Sequence, residues 1–442
     1  MSSSADLTTS LLDDARALGP GITDLRHRLH REPELGLELP RTQEKVLAWL
    51  DGLGFEVSTG RGLSSVTAVL RGTGRMSGAA EASADAVPQG AADDAGAEPG
   101  TAAEATGGAG AGPGVVLLRG DMDALPVQER TGVPYASRIE GRMHACGHDL
   151  HTAMLAGAAS LLAARRESLA GDVVLMFQPG EEGHDGAGKM IAEGVLGAAG
   201  PRPRAAFGLH VASALAPGGT LLSRPGTLMS ASDGLFVTVR GAGGHGSTPQ
   251  RAKDPVACAA EMVTALQTLI TRQFNVFDPV VVTVGVFQAG TQRNIIPDSA
   301  RFEATVRTFS REAREQLQSA VPRLLEGIAA AHGQDVEVEY REEYPVTVND
   351  AGRLEAARSS AAELLGPERY VEMPHPLAGS EDFSRVLAEV PGAFLFLSAV
   401  PAGADHEAAA FNHSPYAVFD DAVLADGAAL YARLAIDALA AG

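Results

Sequence analysis

Apolar positions recur at helical spacing through residues 24–50, and two short apolar runs, 66–70 and 115–118, have the length and β-branched content of buried strands. Further along, helix-like and strand-like stretches alternate: a helix over about 149–168, a strand at 173–177 and another at 206–211. Such alternation predicts a mixed, mostly parallel sheet flanked by helices, an α/β fold. From Gly234 the rhythm changes to strand 235–240, helix 255–274, strands 280–287 and 301–308, helix 311–332 and strand 336–340. That β-α-β-β-α-β order is the split-βαβ pattern of a ferredoxin-like α+β unit. After Tyr344 the α/β pattern resumes, with two helices, a strand at 393–397 and a final helix from Asp421. The chain therefore reads as a body in two parts, residues 1–231 and 344–442, with a smaller unit, residues 232–343, inserted between them.

One segment breaks the pattern. Residues 77–114 are mostly Ala and Gly, contain no aromatic or basic residue and carry six acids. Such a composition cannot bury enough apolar surface to offset its ordering entropy, so the sequence predicts a disordered surface loop there. The rest is globular in character: 442 residues, 45% hydrophobic and 20% charged, are enough to build a large core. A formal charge of −20 argues against nucleic acid or an anionic membrane as partner. Two cysteines, Cys146 and Cys258, cannot form a disulfide framework, and the sequence shows no basic-then-apolar leader and no apolar run of membrane-spanning length, so a cytoplasmic protein is expected.

The candidate chemistry lies at the predicted strand ends. Asp121 and Asp123 follow one strand, Glu181 and Glu182 the next, and His210 ends the third, all toward the carboxyl edge where ligands bind in open α/β sheets. Cys146 and His148 stand two apart where a helix begins, and a thiolate beside an imidazole is a ligand pair for a borderline divalent metal such as zinc. Cys-x-His alone is weak evidence, and a lone histidine such as His210 is more often hydrogen-bonded structure than ligand. Joined to Glu181-Glu182 and to His413, which precedes the last helix, the set becomes a metal site beside a catalytic carboxylate. Adjacent glutamates at a strand exit point in different directions, so Glu182 can ligate while Glu181 moves protons. Asp121, Asp123, Asp149 and His151 are candidates to orient the ligands from behind. The other histidines (His27, His30, His144, His184, His332, His375, His406) and Cys258 read as structural or exposed. No nucleophile elbow surrounds a serine, and the glycine runs lack the Lys-Ser/Thr ending of a phosphate cradle.

The motifs Met143-His-Ala-Cys-Gly-His-Asp-Leu-His-Thr, Phe177-Gln-Pro-Gly-Glu-Glu-Gly, Gly208-Leu-His-Val, Gly243-Gly-His-Gly-Ser, Gly379-Ser-Glu-Asp-Phe and Asn412-His-Ser-Pro resemble the amidohydrolase branch of the aminoacylase/carboxypeptidase metallopeptidase family, which includes hippurate hydrolases and auxin-conjugate hydrolases. The resemblance runs from about Asp24 to the C-terminus, outside the Ala/Gly/acid insertion. It implies a metallopeptidase-type catalytic domain with an inserted lid, and a homodimer formed through that lid. It also implies two divalent metal ions, zinc or manganese with cobalt or nickel as further options, held by Cys146 as bridge with His148, Glu182, His210 and His413. Glu181 would be the general base. His245 and Asn294 would reach the substrate carbonyl from the partner's lid, and Arg307 is the candidate for holding a substrate carboxylate. The expected reaction is hydrolysis of the amide bond of N-acyl or N-aroyl amino acids. A dipeptidase or carboxypeptidase of the same architecture, or a non-catalytic amide-binding protein, is the alternative.

Overall fold

The apolar run at 115–118 forms the heart of the strand Gly114–Asp121, and Gly171–Gln178 and Ala205–Ala212 are buried along their whole length. Strands this uniformly apolar need cover on both faces. The computed structural model of the chain describes residues 4–74 and 114–441. The expected loop at 77–114 therefore lies outside the described residues, save for Gly114.

Among the described residues, the larger sheet has eight strands in the order Glu56–Thr59, Val66–Leu70, Gly171–Gln178, Gly114–Asp121, Ala205–Ala212, Gly392–Ser398, Leu221–Ser223, Tyr370–Glu372. The four central strands are mutually parallel, and antiparallel pairs flank them. Helices Ser4–Arg31, His148–Ala163 and Val423–Ala440 supply the core on one face, through residues such as Leu25, Leu155 and Leu430. Helices Gly186–Ala192 and Ser384–Glu389 supply the other through Met190 and Val386.

The periodic stretch at 24–50 divides in two, Ser4–Arg31 and Pro40–Leu50. Pro40 accounts for the restart, because its fixed φ and missing N–H suit the first helical turn. The helix expected over 149–168 ends at Ala163, and a 3-10 turn, Arg166–Ser168, follows. Tyr370–Glu372 and Leu221–Ser223 are too short to show a period, and only the tertiary fold reveals them as strands.

The second sheet runs Val280–Ala289, Ser299–Thr308, Ala231–Arg240, Asp335–Tyr344, all antiparallel, which is the strand order of the ferredoxin-like pattern. Its helices begin at side-chain caps: Asp254 accepts from the Val256 N–H before Pro255–Gln273, and Ser310 from the Ala313 N–H before Arg311–Ala331. Cys258 is buried there with Leu235, Met262 and Phe302 in a core of its own. Where the chain enters and leaves this unit, Gly226–Met229 pairs with Thr347–Asn349. Among the described residues no helix is long and apolar enough to cross a membrane.

Candidate metal centre

Three parallel strands deliver the site. Gly114–Asp121 ends on Asp121, Gly171–Gln178 leads through Pro179-Gly180 to Glu181 and Glu182, and Ala205–Ala212 carries His210, so all three exit at one edge. Between Cys146 and His148 stands Gly147 at φ +87°, where a Cβ would meet Val211 Cγ2 at 2.3 Å. Only glycine fits that turn, and the turn is what lets the flanking thiol and imidazole converge. His413 arrives from a loop before the last helix, with φ 72°.

The side chains meet closely. Cys146 Sγ lies 3.4 Å from His210 Nε2 and 3.3 Å from His413 Nε2, and the latter lies 3.1 Å from Glu182 Oε1. Atoms able to ligate a metal fall within 4.8 Å of one another in Cys146–His148–His210 and again in Cys146–Glu182–His413. Cys146 belongs to both groups. The donors fit such ions on their own chemistry. His210 Nδ1 donates to the Val211 carbonyl at 2.8 Å, which leaves the Nε2 lone pair facing the thiol. His148, fully buried, has its ring nitrogens 3.4 Å from carboxylate oxygens of Asp121 and Asp123, too far for well-formed hydrogen bonds. Thiolate, imidazole and carboxylate together suit zinc-like cations.

Charge on the protein side is unbalanced toward the negative. The His413 imidazole is pushed up to about 10, first by its hydrogen bond to Cys146 and then by Glu182. Burial raises the Glu181 carboxyl well above its ordinary range, and Glu381, Glu182 and Asp382 raise it further.

Behind these groups, Asp123 accepts the backbone N–H of Glu181 at 3.0 Å and of Glu182 at 3.1 Å, so one carboxylate fixes the turn that carries both glutamates. Asp121 takes the Nδ1 proton of His151 at 2.6 Å, and His151 Nε2 accepts from the Val211 N–H at 2.7 Å, which packs His151 edge-on against His210. Asp149 is placed differently. Its hydrogen bonds go to Arg26 and His30, each at 2.8 Å, and to none of the five candidate ligands. The reason is angular: successive residues of a helix point about 100° apart, so Asp149 cannot face where His148 faces.

A second acidic group adjoins Glu181. Glu381 and Asp382 are buried against Arg119, whose Nη2 donates to them at 2.7 and 3.0 Å, and Gln178 donates to Asp382 at 2.8 Å. Sequence reasoning assigned these residues no role, although adjacent acids after Gly379-Ser380 were the available signal. Tyr344, the last residue of the strand Asp335–Tyr344, donates to the Glu181 carbonyl at 2.8 Å.

The centre opens into a cavity of about 640 Å³. Leu215, Met229, Leu377, Phe396 and Phe411 form an apolar wall, while Arg307, hydrogen-bonded to Ser232, lines it from the second sheet. His245 and Asn294 do not line this cavity. They sit together on the exposed surface of the inserted unit, where the His245 strand pairs with Ile295–Ile296 and the Gly246 N–H donates to the Asn294 carbonyl at 2.8 Å.

Residues 117–437 match the profile of peptidase family M20/M25/M40. An IAA-amino acid hydrolase of Arabidopsis thaliana (ILR1-like 4) is 35% identical over 93% of this chain and 84% of its own length. Thermostable carboxypeptidase 2 of Saccharolobus solfataricus is 33% identical over 98% of each chain. Among solved structures, the Bacillus subtilis YXEP protein, a dinuclear metal binding peptidase from the M20 family, superposes with a TM-score of 0.75 at 31% identity, over 96% of this chain and 99% of its own.

Proposed function

The chain belongs to peptidase family M20/M25/M40, and from that membership and the shape of its cavity we propose a metal-dependent amidohydrolase that cleaves the amide bond of N-acyl or N-aroyl amino acids. The observation that carries this reading is the meeting of Cys146, His148, Glu182, His210 and His413 beside the buried Glu181 at the head of a partly apolar cavity. These five would hold two divalent ions, zinc or manganese in the first place. When bound, such ions acidify water and polarise a carbonyl oxygen.

The protein's own groups do the rest. Glu181 accepts a proton from the water whose oxygen bonds to the amide carbon, and returns it to the nitrogen as the C–N bond breaks, so amide and water become carboxylic acid and amine, which ionise to carboxylate and ammonium. Asp123 and Tyr344 keep its backbone still through that exchange. The acyl group packs on Leu215, Met229, Leu377, Phe396 and Phe411, and Arg307 takes the amino-acid carboxylate. His245 and Asn294, which do not line this chain's own cavity, act on the substrate carbonyl of a partner in a dimer joined through the inserted unit, residues 232–343, which serves as the lid. A reducing compartment, the cytoplasm, suits a centre that needs Cys146 as a free thiol.

The carboxypeptidase relative favours a second reading in which peptides are the substrates, whereas the IAA-amino acid hydrolase and the Cys146-Gly147-His148 motif support acyl-amino acids. A release assay over N-acetyl, N-benzoyl and dipeptide substrates, with zinc, manganese and cobalt in turn, decides between them. Turnover confined to free-amino dipeptides would overturn the amidohydrolase reading.

A further inference from the structure

Asn412, given no role from sequence, is hydrogen-bonded to the backbone beside two of the candidate ligands. Its Nδ2 donates to the Cys146 carbonyl at 3.1 Å and to the Val211 carbonyl at 3.0 Å, and lies 3.8 Å from Cys146 Sγ. Its Oδ1 accepts from the Ser213 N–H at 2.9 Å and from Ser213 Oγ at 3.0 Å. Both amide protons and the amide oxygen are thus engaged. The orientation is forced, because two backbone carbonyls can only accept and a backbone N–H can only donate.

Two of these contacts and the chain itself tie Asn412 to three of the candidate ligands. Cys146 is held through its own carbonyl. His210 is held through Val211, whose carbonyl receives the His210 Nδ1 proton beside that of Asn412, so the same oxygen fixes the tautomer that frees Nε2 toward the thiol. His413 is the next residue in the chain, kept at φ 72° with its N–H donating to the Ala145 carbonyl at 2.8 Å. A left-handed non-glycine residue is strained and persists only where its surroundings hold it.

We propose that Asn412 is the positioning residue of the metal centre, setting Cys146, His210 and His413 in register so that one thiolate can serve two ions. The proposal rests on the reading of Cys146, His148, Glu182, His210 and His413 as ligands. It predicts that losing the two donated hydrogen bonds weakens metal binding by about 10–100-fold, the usual effect of removing a group that orients a ligand.

The test uses the full-length chain, stripped of metal and titrated with cobalt(II), for wild type, Asn412→Asp and Ser213→Ala. Asn412→Asp is nearly isosteric and keeps the acceptor for Ser213, but sets an oxygen against two carbonyls. Ser213→Ala removes the hydroxyl's contacts to the Asn412 amide oxygen and to the Ala410 carbonyl, and leaves both Asn412 donations. Expected are two cobalt ions per wild-type chain with a thiolate-to-cobalt absorption band. Asn412→Asp should show weaker cobalt affinity by about 10–100-fold and a shifted or lost band, and Ser213→Ala should stay within a few fold of wild type. Circular dichroism of the metal-free proteins verifies folding, and if Asn412→Asp fails to fold, Asn412→Ser replaces it with the same expectation. An Asn412→Asp protein that binds cobalt as tightly as wild type, with an unchanged band, overturns the proposal while leaving the ligand reading intact. A wild-type chain that binds no cobalt overturns the ligand reading, and the proposal with it.

Discussion

At the residue scale, Glu181 and Glu182 are neighbours to which we assign different proposed tasks, and substitution should separate them. Glu181→Gln keeps size and polarity but cannot take a proton; metal content measured by emission spectrometry should stay near two ions while turnover falls at least ~10²-fold. Glu182→Gln should lose metal instead, since Glu182 faces His413 and Cys146. Full activity of a metal-replete Glu181→Gln protein would remove Glu181 from the base role. His413 adds a pH dependence whose sign is fixed. With its imidazole raised to about 10 by Cys146 and Glu182, His413 is expected to carry a proton at neutral pH in the metal-free protein, and to serve as the proposed ligand it would have to lose it. Metal uptake should therefore release protons, and apparent affinity should climb by about tenfold per pH unit for each proton displaced. Calorimetry in buffers of differing ionisation enthalpy measures that number, and uptake with no proton release between pH 6 and 8 would contradict it.

At the level of elements, the hinge between Cys146 and His148 and the clamp at Asp149 carry the stability of the site. Gly147→Ala would place a Cβ 2.3 Å from Val211 Cγ2 at φ +87°, so a loss of about 1–3 kcal/mol in urea unfolding, together with reduced metal content, is expected. Asp149 ties helix Ser4–Arg31 to helix His148–Ala163 through Arg26 and His30. Burial works against its charge, but Arg26 and then His30 hold its carboxyl far below the ordinary range. Such a group stabilises the fold fully above its unfolded pKa, near 4, and loses the contribution as the pH drops through the folded value. Asp149→Asn should cost about 3–5 kcal/mol at pH 7, with the two unfolding curves drawing together in strong acid. Equal stability at pH 7 would show the clamp to be dispensable. These elements also show what a sequence can and cannot announce. The buried strands and the β-α-β-β-α-β order were legible because their apolar periods are local. Asp149, Glu381 and Asp382 were not, because a carboxylate's partner is set by tertiary placement: Arg26 lies 123 residues from Asp149, and Arg119 lies 262 from Glu381.

For the whole molecule, the decisive relation is between the cavity and the pair His245 and Asn294, which do not line it. If a second copy's lid completes each site, His245→Ala and Glu181→Gln should each be inactive alone, the first by ~10²–10³ in turnover. Co-expressed with different tags and isolated as a mixed dimer, they should recover toward half of wild-type activity, since one site then combines an intact base with an intact histidine. No recovery in a verified heterodimer would mean that each subunit works without its neighbour. Another relation concerns time instead of space. The strand Gly392–Ser398 sits between Ala205–Ala212 and Leu221–Ser223, although it is made about 180 residues later. At roughly 5–20 residues per second a ribosome needs on the order of 10–40 s to cover that interval. Throughout it the nascent chain presents an open sheet edge, which is a template for pairing with other chains. His413 emerges later still, so a metal held as proposed could be captured in full only after residues 232–343 and the strand Gly392–Ser398 have been made, and slow elongation through residues 232–343 would be expected to raise the burden on chaperones before it affects catalysis.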